Sequence, residues 1–201
     1  MKFIRKTVLI AALLALVGWF SGIMAQRHQL HENVIRLHVL AESDTDADQA
    51  VKLRVRDAVT EFLEKEMAGI TDRREAEAFL TRNLNRIGEI ANRVLTELGC
   101  EERAAVSMTE EAFDTREYDT FSLPAGVYRA LRVVIGEGEG RNWWCVVFPQ
   151  LCVPATAEGF SEAAVECGYS DSLTGALTGE YEVRFFLLDC LGRLENFFFA
   201  S

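Results

Sequence analysis

The feature that most limits the fold of this chain is a change in its hydrophobic period near residue 100. Between residues 51 and 98, apolar side chains recur every three or four residues, as on one face of an amphipathic helix. From there to residue 148, apolar and polar residues alternate, as in strands with one buried face. Helices and strands in separate blocks are typical of the α+β class, so we expect a mainly antiparallel sheet.

The helical block divides into two or three amphipathic helices, with a first break at Gly69 and a second near Leu84. A short strand is predicted ahead of them at residues 34–40, because apolar residues there alternate with Arg36 and His38. The expected architecture is therefore an N-terminal strand and two to three helices packed on the sheet.

Two strand-like segments flank a glycine-rich run in the second block. Residues 127–135 alternate cleanly, and residues 143–148 are strongly apolar. The run between them, residues 136–140, reads Gly-Glu-Gly-Glu-Gly and is too flexible for a regular element. We therefore predict a hairpin of the two segments.

The signal is weaker beyond residue 155. A short helix is expected at residues 161–167 and a loop at residues 168–179. A strand is expected at residues 181–188, followed by a closing helix at residues 189–199.

The N-terminus has the pattern of an export signal. Lys2, Arg5 and Lys6 precede an apolar run at residues 8–20, and small residues follow up to Ala25. A 13-residue run is about 20 Å long as a helix, shorter than a bilayer core of about 30 Å. This favours a signal peptide over residues 1–25; the alternative is an uncleaved anchor, since tolerable residues continue to Ala25. Residues 26–33 are predicted to be a polar linker and residues 34–201 a single domain outside the cytoplasm.

The cysteines have consequences in an oxidising compartment. Of the five, Cys145 and Cys152 are the best candidates for a disulfide, because they are near in sequence and flank a proline turn. The alternative is that both are small buried apolar residues.

Charge and motif content exclude several functions. A net charge of −10 disfavours nucleic-acid binding, which depends on neutralising phosphates. The acidic residues 44–48 open like a calcium loop, but Gln49 and Val55 occupy the positions that require glycine and glutamate. All three histidines lie in the first 38 residues, and no serine lies in a nucleophile motif. We therefore expect no catalytic residue, metal site or cofactor, and a binding or signalling role.

Three passages together resemble one family. They are residues 35–49 (IRLHVLAESDTDADQ), residues 52–59 (KLRVRDAV) and residues 123–152, which include Asn-Trp-Trp-Cys at 142–145 and a second cysteine at 152. This combination resembles the stage II sporulation protein R family of endospore-forming bacteria, over roughly residues 34–153.

The resemblance implies a secreted intercellular signal. Such a protein is made in the forespore and exported into the space between the forespore and mother-cell membranes. There it activates a membrane-embedded aspartic protease of the mother cell, which processes the precursor of sigma factor E. Trp143, Trp144, Lys52 and Arg56 are the residues that we expect to contact this partner, although both tryptophans could instead be core residues. The alternative function is a secreted cell-wall or peptide hydrolase that uses His38.

Overall fold

The computed structural model describes residues 2–118, 121–149, 168–179 and 182–199. Its helices are α1 (Lys2–Asn33), α2 (Asp46–Glu66), α3 (Arg73–Arg82), α4 (Leu84–Glu97), α5 (Asp171–Leu177) and α6 (Glu182–Phe199). Its strands are β1 (Ile35–Leu40), β2 (Ala104–Phe113), β3 (Arg116–Glu117), β4 (Ser122–Leu123), β5 (Gly126–Ile135) and β6 (Asn142–Phe148). The mixed fold with a mostly antiparallel sheet is confirmed, and a long helix, not a strand, is the first element.

The helices begin and end where local chemistry favours it. The Thr45 hydroxyl accepts a hydrogen bond from the Asp48 amide at the start of α2, and the Asp72 carboxylate accepts one from the Glu75 amide at the start of α3. Gly99 follows α4 with a φ of 74°, a conformation that glycine adopts without strain. α2, α3 and α4 are the three amphipathic helices that the periodicity predicts.

The main sheet has the strand order β2-β5-β1-β6. β1 lies between β5, to which it is parallel, and β6, to which it is antiparallel. The predicted hairpin of β5 and β6 is therefore wrong, because β1 is inserted between them. The glycine-rich loop spans this gap, and the amides of Glu139 and Gly140 donate to Glu42 and Ala41 just after β1.

Helices cover both faces of this sheet. One face packs against α2, α3 and α4, and its core includes Leu37, Leu131 and Val147. The other face packs against α1, α5 and α6, and its core includes Tyr128, Ala130 and Val146. Because β1 is central and covered on both sides, all six of its residues are buried, including Arg36 and His38.

The predicted linker at residues 26–33 is instead the last part of α1. Leu30 is fully buried there, and the Gln26 amide donates to the Ser172 hydroxyl of α5 at 2.5 Å. Its apolar positions have a partner, the second face of the sheet, so this polar segment folds with the domain. Over Phe3–Asn33, α1 is also long and apolar enough to cross a membrane.

The C-terminal region differs from expectation in two places. The predicted loop at residues 168–179 contains α5, whose start is capped by the Ser170 hydroxyl. The strand predicted at residues 181–188 is wrong, because its described residues, from Glu182, form the first part of α6; a short apolar run does not by itself distinguish a strand from a helix. The closing helix is confirmed, and the helix expected at residues 161–167 lies outside the described residues.

Candidate functional site

The two tryptophans of β6 point to opposite faces of the sheet, because successive strand residues alternate. Trp143 faces α2, where the Arg56 guanidinium lies 4.2 Å from the centre of its ring. Trp143 is 37% exposed, and Arg56 Nε also donates to Asp57 Oδ1 at 2.8 Å. We call Trp143, Arg56 and Asp57 the Trp143 patch, an aromatic and charged surface held by a cation–π contact.

Lys52 lies one turn before Arg56 on α2 but is only 4% exposed. Its ammonium donates to Gln49 Oε1 at 2.6 Å and to the Arg141 carbonyl at 2.7 Å. Burial, and then the nearby charge of Arg141, hold the pKa of Lys52 below its ordinary value. Lys52 therefore fastens the start of β6 to α2, and the structure places it in the interior and not on the patch.

Trp144 belongs to the second core. Its ring stacks on His38 with centroids 3.7 Å apart and meets the Phe113 ring edge-on at 4.8 Å. The Arg116 guanidinium lies 5.4 Å from the Trp144 ring. These contacts fit the alternative that a tryptophan here is a packing residue.

His38, which is buried, forms a cluster with the partly exposed side chains of Glu111 and Arg132. His38 Nδ1 lies 2.7 Å from Glu111 Oε2, and Arg132 Nε lies 3.0 Å from Glu111 Oε1. Burial acts to raise the pKa of Glu111, but the hydrogen bond and charge of His38, with Arg132, outweigh it and leave this pKa below its ordinary value. A histidine oriented by a carboxylate supplies two of the three members of a catalytic triad, and the third is a nucleophile.

The third member, a nucleophile beside the histidine, does not appear in the described part of the chain. His38 Nε2 is buried and has no hydrogen-bond partner there, so no serine, threonine or cysteine is placed to be activated. Within residues 2–118, 121–149, 168–179 and 182–199, no group of three histidine, cysteine, aspartate or glutamate side chains could hold a metal ion. Asp48, from the calcium-like segment, accepts a hydrogen bond from the Thr45 hydroxyl at 2.8 Å at the start of α2.

Arg36 is a buried residue that the sequence pattern did not single out. It is 0% exposed, and its guanidinium lies 4.0 Å from the centre of the Phe113 ring. Arg36 Nη2 donates to the Tyr118 hydroxyl at 3.1 Å. The alternation of β1 predicts that Arg36 lies on a polar, exposed face. The sequence feature that indicates its burial is the apolar C-terminal segment, because such a segment must pack on a surface of the domain.

The structure describes three of the five cysteines. Cys145 is in a disulfide whose partner lies outside the described residues, whereas Cys100 and Cys190 are free thiols. The pairing of Cys145 with Cys152 stays a prediction, since Cys152 also lies outside the described residues.

The sequence of this chain is similar to those of known proteins. The sequence profile of the family described as Stage II sporulation protein R matches residues 31–158. Stage II sporulation protein R of Bacillus subtilis (strain 168) is 35% identical over 159 residues, which cover 74% of this chain and 71% of that relative. No solved structure matches the chain. The matched residues include β1, α2, the central strands and the Trp143 patch, and the chain belongs to the stage II sporulation protein R family.

Proposed function

We propose that this protein is an exported signal of sporulation that activates a membrane-embedded aspartic protease of the mother cell. The protease would then remove the pro-sequence from the precursor of sigma factor E. The observation that carries the proposal is membership of the family, for which this role is the expectation stated above.

The N-terminus supports export. α1 has basic residues at its start and an exposed apolar stretch, a pattern typical of a signal sequence or anchor. With the positive end in the cytoplasm, the folded domain lies on the other side of the membrane. In sporulation that is the space between the forespore and mother-cell membranes, where the protease can be reached.

The chemistry of the described residues supports a binding role. Among the described residues, the pair of His38 with Glu111 is stacked under Trp144 and has no nucleophile beside it. The Trp143 patch, in contrast, offers an exposed indole and a guanidinium, the side chains that most often dominate binding energy at interfaces.

The test is co-expression in a host that does not sporulate. The protein, the candidate protease and the precursor of sigma factor E are produced together, and cleavage of the precursor is scored on immunoblots. Cleavage that requires both the protein and the protease supports the proposal. Absence of cleavage when all three are present would refute it.

The alternative, a secreted cell-wall or peptide hydrolase, is favoured by one observation, the contact of His38 with Glu111. Purified protein would then release soluble fragments from cell walls or peptides, and Glu111→Gln would abolish that release. Precursor cleavage at the wild-type level in a folded Glu111→Gln variant would exclude this chemistry from signalling.

A further inference from the structure

β2 is an edge strand of the main sheet, ten residues long. Among the strands of the described residues, it pairs with β5 alone. In an antiparallel pair, the backbone groups of successive residues point alternately toward the partner strand and away from it. The outer row of an edge strand is therefore available for pairing with another chain.

Two contacts establish which residues of β2 point outward. The Asn92 side chain of α4 donates to the Ala104 carbonyl at 2.9 Å and accepts from the Ala104 amide at 3.0 Å, so Ala104 faces away from β5. By alternation, Val106, Met108, Glu110 and Ala112 also face outward.

The other side of β5 gives the same parity. The Val127 amide donates to Glu195 Oε2 at 3.1 Å, and the Val127 carbonyl accepts from His31 Nδ1 at 2.6 Å. The backbone amide and carbonyl of Val127 thus point away from β2, so those of its neighbour Tyr128 point toward β2, where Tyr128 is paired with Glu111. The backbone groups of Glu111 therefore face β5, and those of Glu110 face outward.

The outer row is closed at its first residue and open beyond it. Asn92 covers Ala104, donating to its carbonyl at 2.9 Å and accepting from its amide at 3.0 Å. Among the described residues, the backbone amides and carbonyls of Val106, Met108, Glu110 and Ala112 have no hydrogen-bond partner on this outer side.

A groove lies beside the first part of this row, next to Ala104 and Val106, with α4 as its wall. It has a volume of about 600 Å³ and is lined by Leu84, Asn85, Gly88, Glu89, Asn92, Arg103, Ala104 and Val106. Gly88 has no side chain to fill the groove, and a Cβ built there would meet only Val106 Cγ2 at 3.8 Å. The groove has room for the side chains of a further strand where they would face α4.

We propose that β2 binds an extended segment of the partner protease as an additional strand, with small or apolar side chains facing α4. Outward amides and carbonyls at alternate residues match the hydrogen-bonding pattern of an extended backbone. Glu89 lines the groove together with Arg103, and Glu110 is an exposed residue of the row itself, so these three side chains carry a net charge of −1 and favour a neutral or basic segment. A second copy of this chain would bring another net charge of −10 spread over the whole molecule, and like-charge repulsion disfavours that pairing. This inference rests on the proposed function for the identity of the partner.

Glu110→Pro and Glu110→Ala form a matched pair for the test. Both remove the same exposed carboxylate, but only proline removes the outward amide, and an outward position of an edge strand tolerates proline. In the co-expression assay, and in capture of the co-expressed full-length protease from detergent extracts, we expect Glu110→Ala to stay within about twofold of wild type. We expect Glu110→Pro to lose about tenfold or more, because a partner carbonyl is left unpaired.

A second pair tests the groove wall. Gly88→Ala adds a methyl group at ordinary van der Waals distance from Val106 and favours the helix, whereas Gly88→Leu fills the groove with a residue that also favours helix. We expect loss of capture and cleavage only in Gly88→Leu. This pair decides the question if Glu110→Pro proves unfolded by circular dichroism.

The outcomes separate the two proposals. If wild type captures the protease without causing cleavage, and Glu110→Pro or Gly88→Leu loses capture, then the edge stands and the proposed function fails. Capture and cleavage by a folded Glu110→Pro or Gly88→Leu variant equal to those of its alanine partner would overturn the edge proposal. So would failure of wild type to capture the protease, or a wild-type dimer in sedimentation that Glu110→Pro dissociates.

Discussion

Trp143 and Trp144 are adjacent in sequence but differ in their surroundings. Trp143 is half-exposed under Arg56, and Trp144 is stacked between His38 and Phe113. One chain position thus separates a surface side chain from a packed one, because β6 directs them to opposite faces. The two residues give a matched comparison of binding and stability.

Trp143→Ala is expected to lower the free energy of unfolding by about 1 kcal/mol or less, the scale of an exposed cation–π contact. Trp144→Ala is expected to lower it by about 3 kcal/mol, since a packed aromatic ring is removed. Urea denaturation of both variants checks this. If the Trp143 patch contacts the protease, Trp143→Ala will fold and lose precursor cleavage; full cleavage by the folded variant would remove the patch from the interface.

Glu111 gives a prediction for pH. Its pKa in the folded protein is below the ordinary value of 4.5, so the unfolded chain takes up this proton first as the pH falls. The stabilisation by the carboxylate is complete above pH 4.5 and is lost as the pH falls below it. Glu111→Gln should therefore be less stable than wild type at pH 7, by about 1–3 kcal/mol, and this difference should shrink toward pH 3.

Urea denaturation of wild type and Glu111→Gln at pH 7, 4 and 3 is the measurement. An equal difference in unfolding free energy at all three values would show that the contacts of Glu111 with His38 and Arg132 do not depend on its charge.

At the residue scale, exposure was harder to predict than chemistry. The sequence identified the tryptophans, Lys52 and Arg56 as notable, and the structure brings only Trp143 and Arg56 together at the surface. The sequence predicts Lys52 as a contact of the partner, but the chain turns back so that the Arg141 carbonyl covers its ammonium. Such a contact joins residues 89 positions apart, which no local period reports.

At the scale of elements, the local predictions succeeded where a single period extended over many residues. α2, α4 and β5 are of this kind. The pairing of β5 with β6 failed because adjacency in sequence favours a hairpin, whereas the parallel β1 takes the place between them. After residue 168 the closing helix is confirmed, but the predicted loop at residues 168–179 and the predicted strand that follows it are wrong, because short apolar runs fit either state.

α1 shows how one element can belong to two environments. Its first part is exposed and apolar, and its last part, from Ile23, packs on the second core with Leu30. Cleavage after Ala25 would remove Ile23 from that core but keep Leu30. Whether the segment is cleaved stays a prediction.

Leu30→Ala tests whether the end of α1 is part of the folded domain. Leu30 is 0% exposed, so we expect a loss of about 3 kcal/mol in the free energy of unfolding. Leu98→Ala, at a leucine 46% exposed, is the control and should cost less than about 1 kcal/mol. Denaturation of domains that begin at residue 23 measures both, and equal effects would place residues 26–33 outside the cooperative unit.

At the scale of the whole molecule, the described residues form a sheet with helices on both faces and an open edge at β2. The class of the fold followed from the order of the periods. The second helical layer did not, because α5 and α6 lie in the region where the sequence signal is weakest. The polar groups of β1 that looked like a surface are therefore interior, and the exposed candidates are the Trp143 patch and the edge of β2.

The most direct test of the account is reconstitution of precursor cleavage in a host that does not sporulate. With the protein and the candidate protease present, we expect the precursor of sigma factor E to be shortened, and we expect omission of either one to prevent this. An intact precursor in the presence of both folded proteins would contradict it.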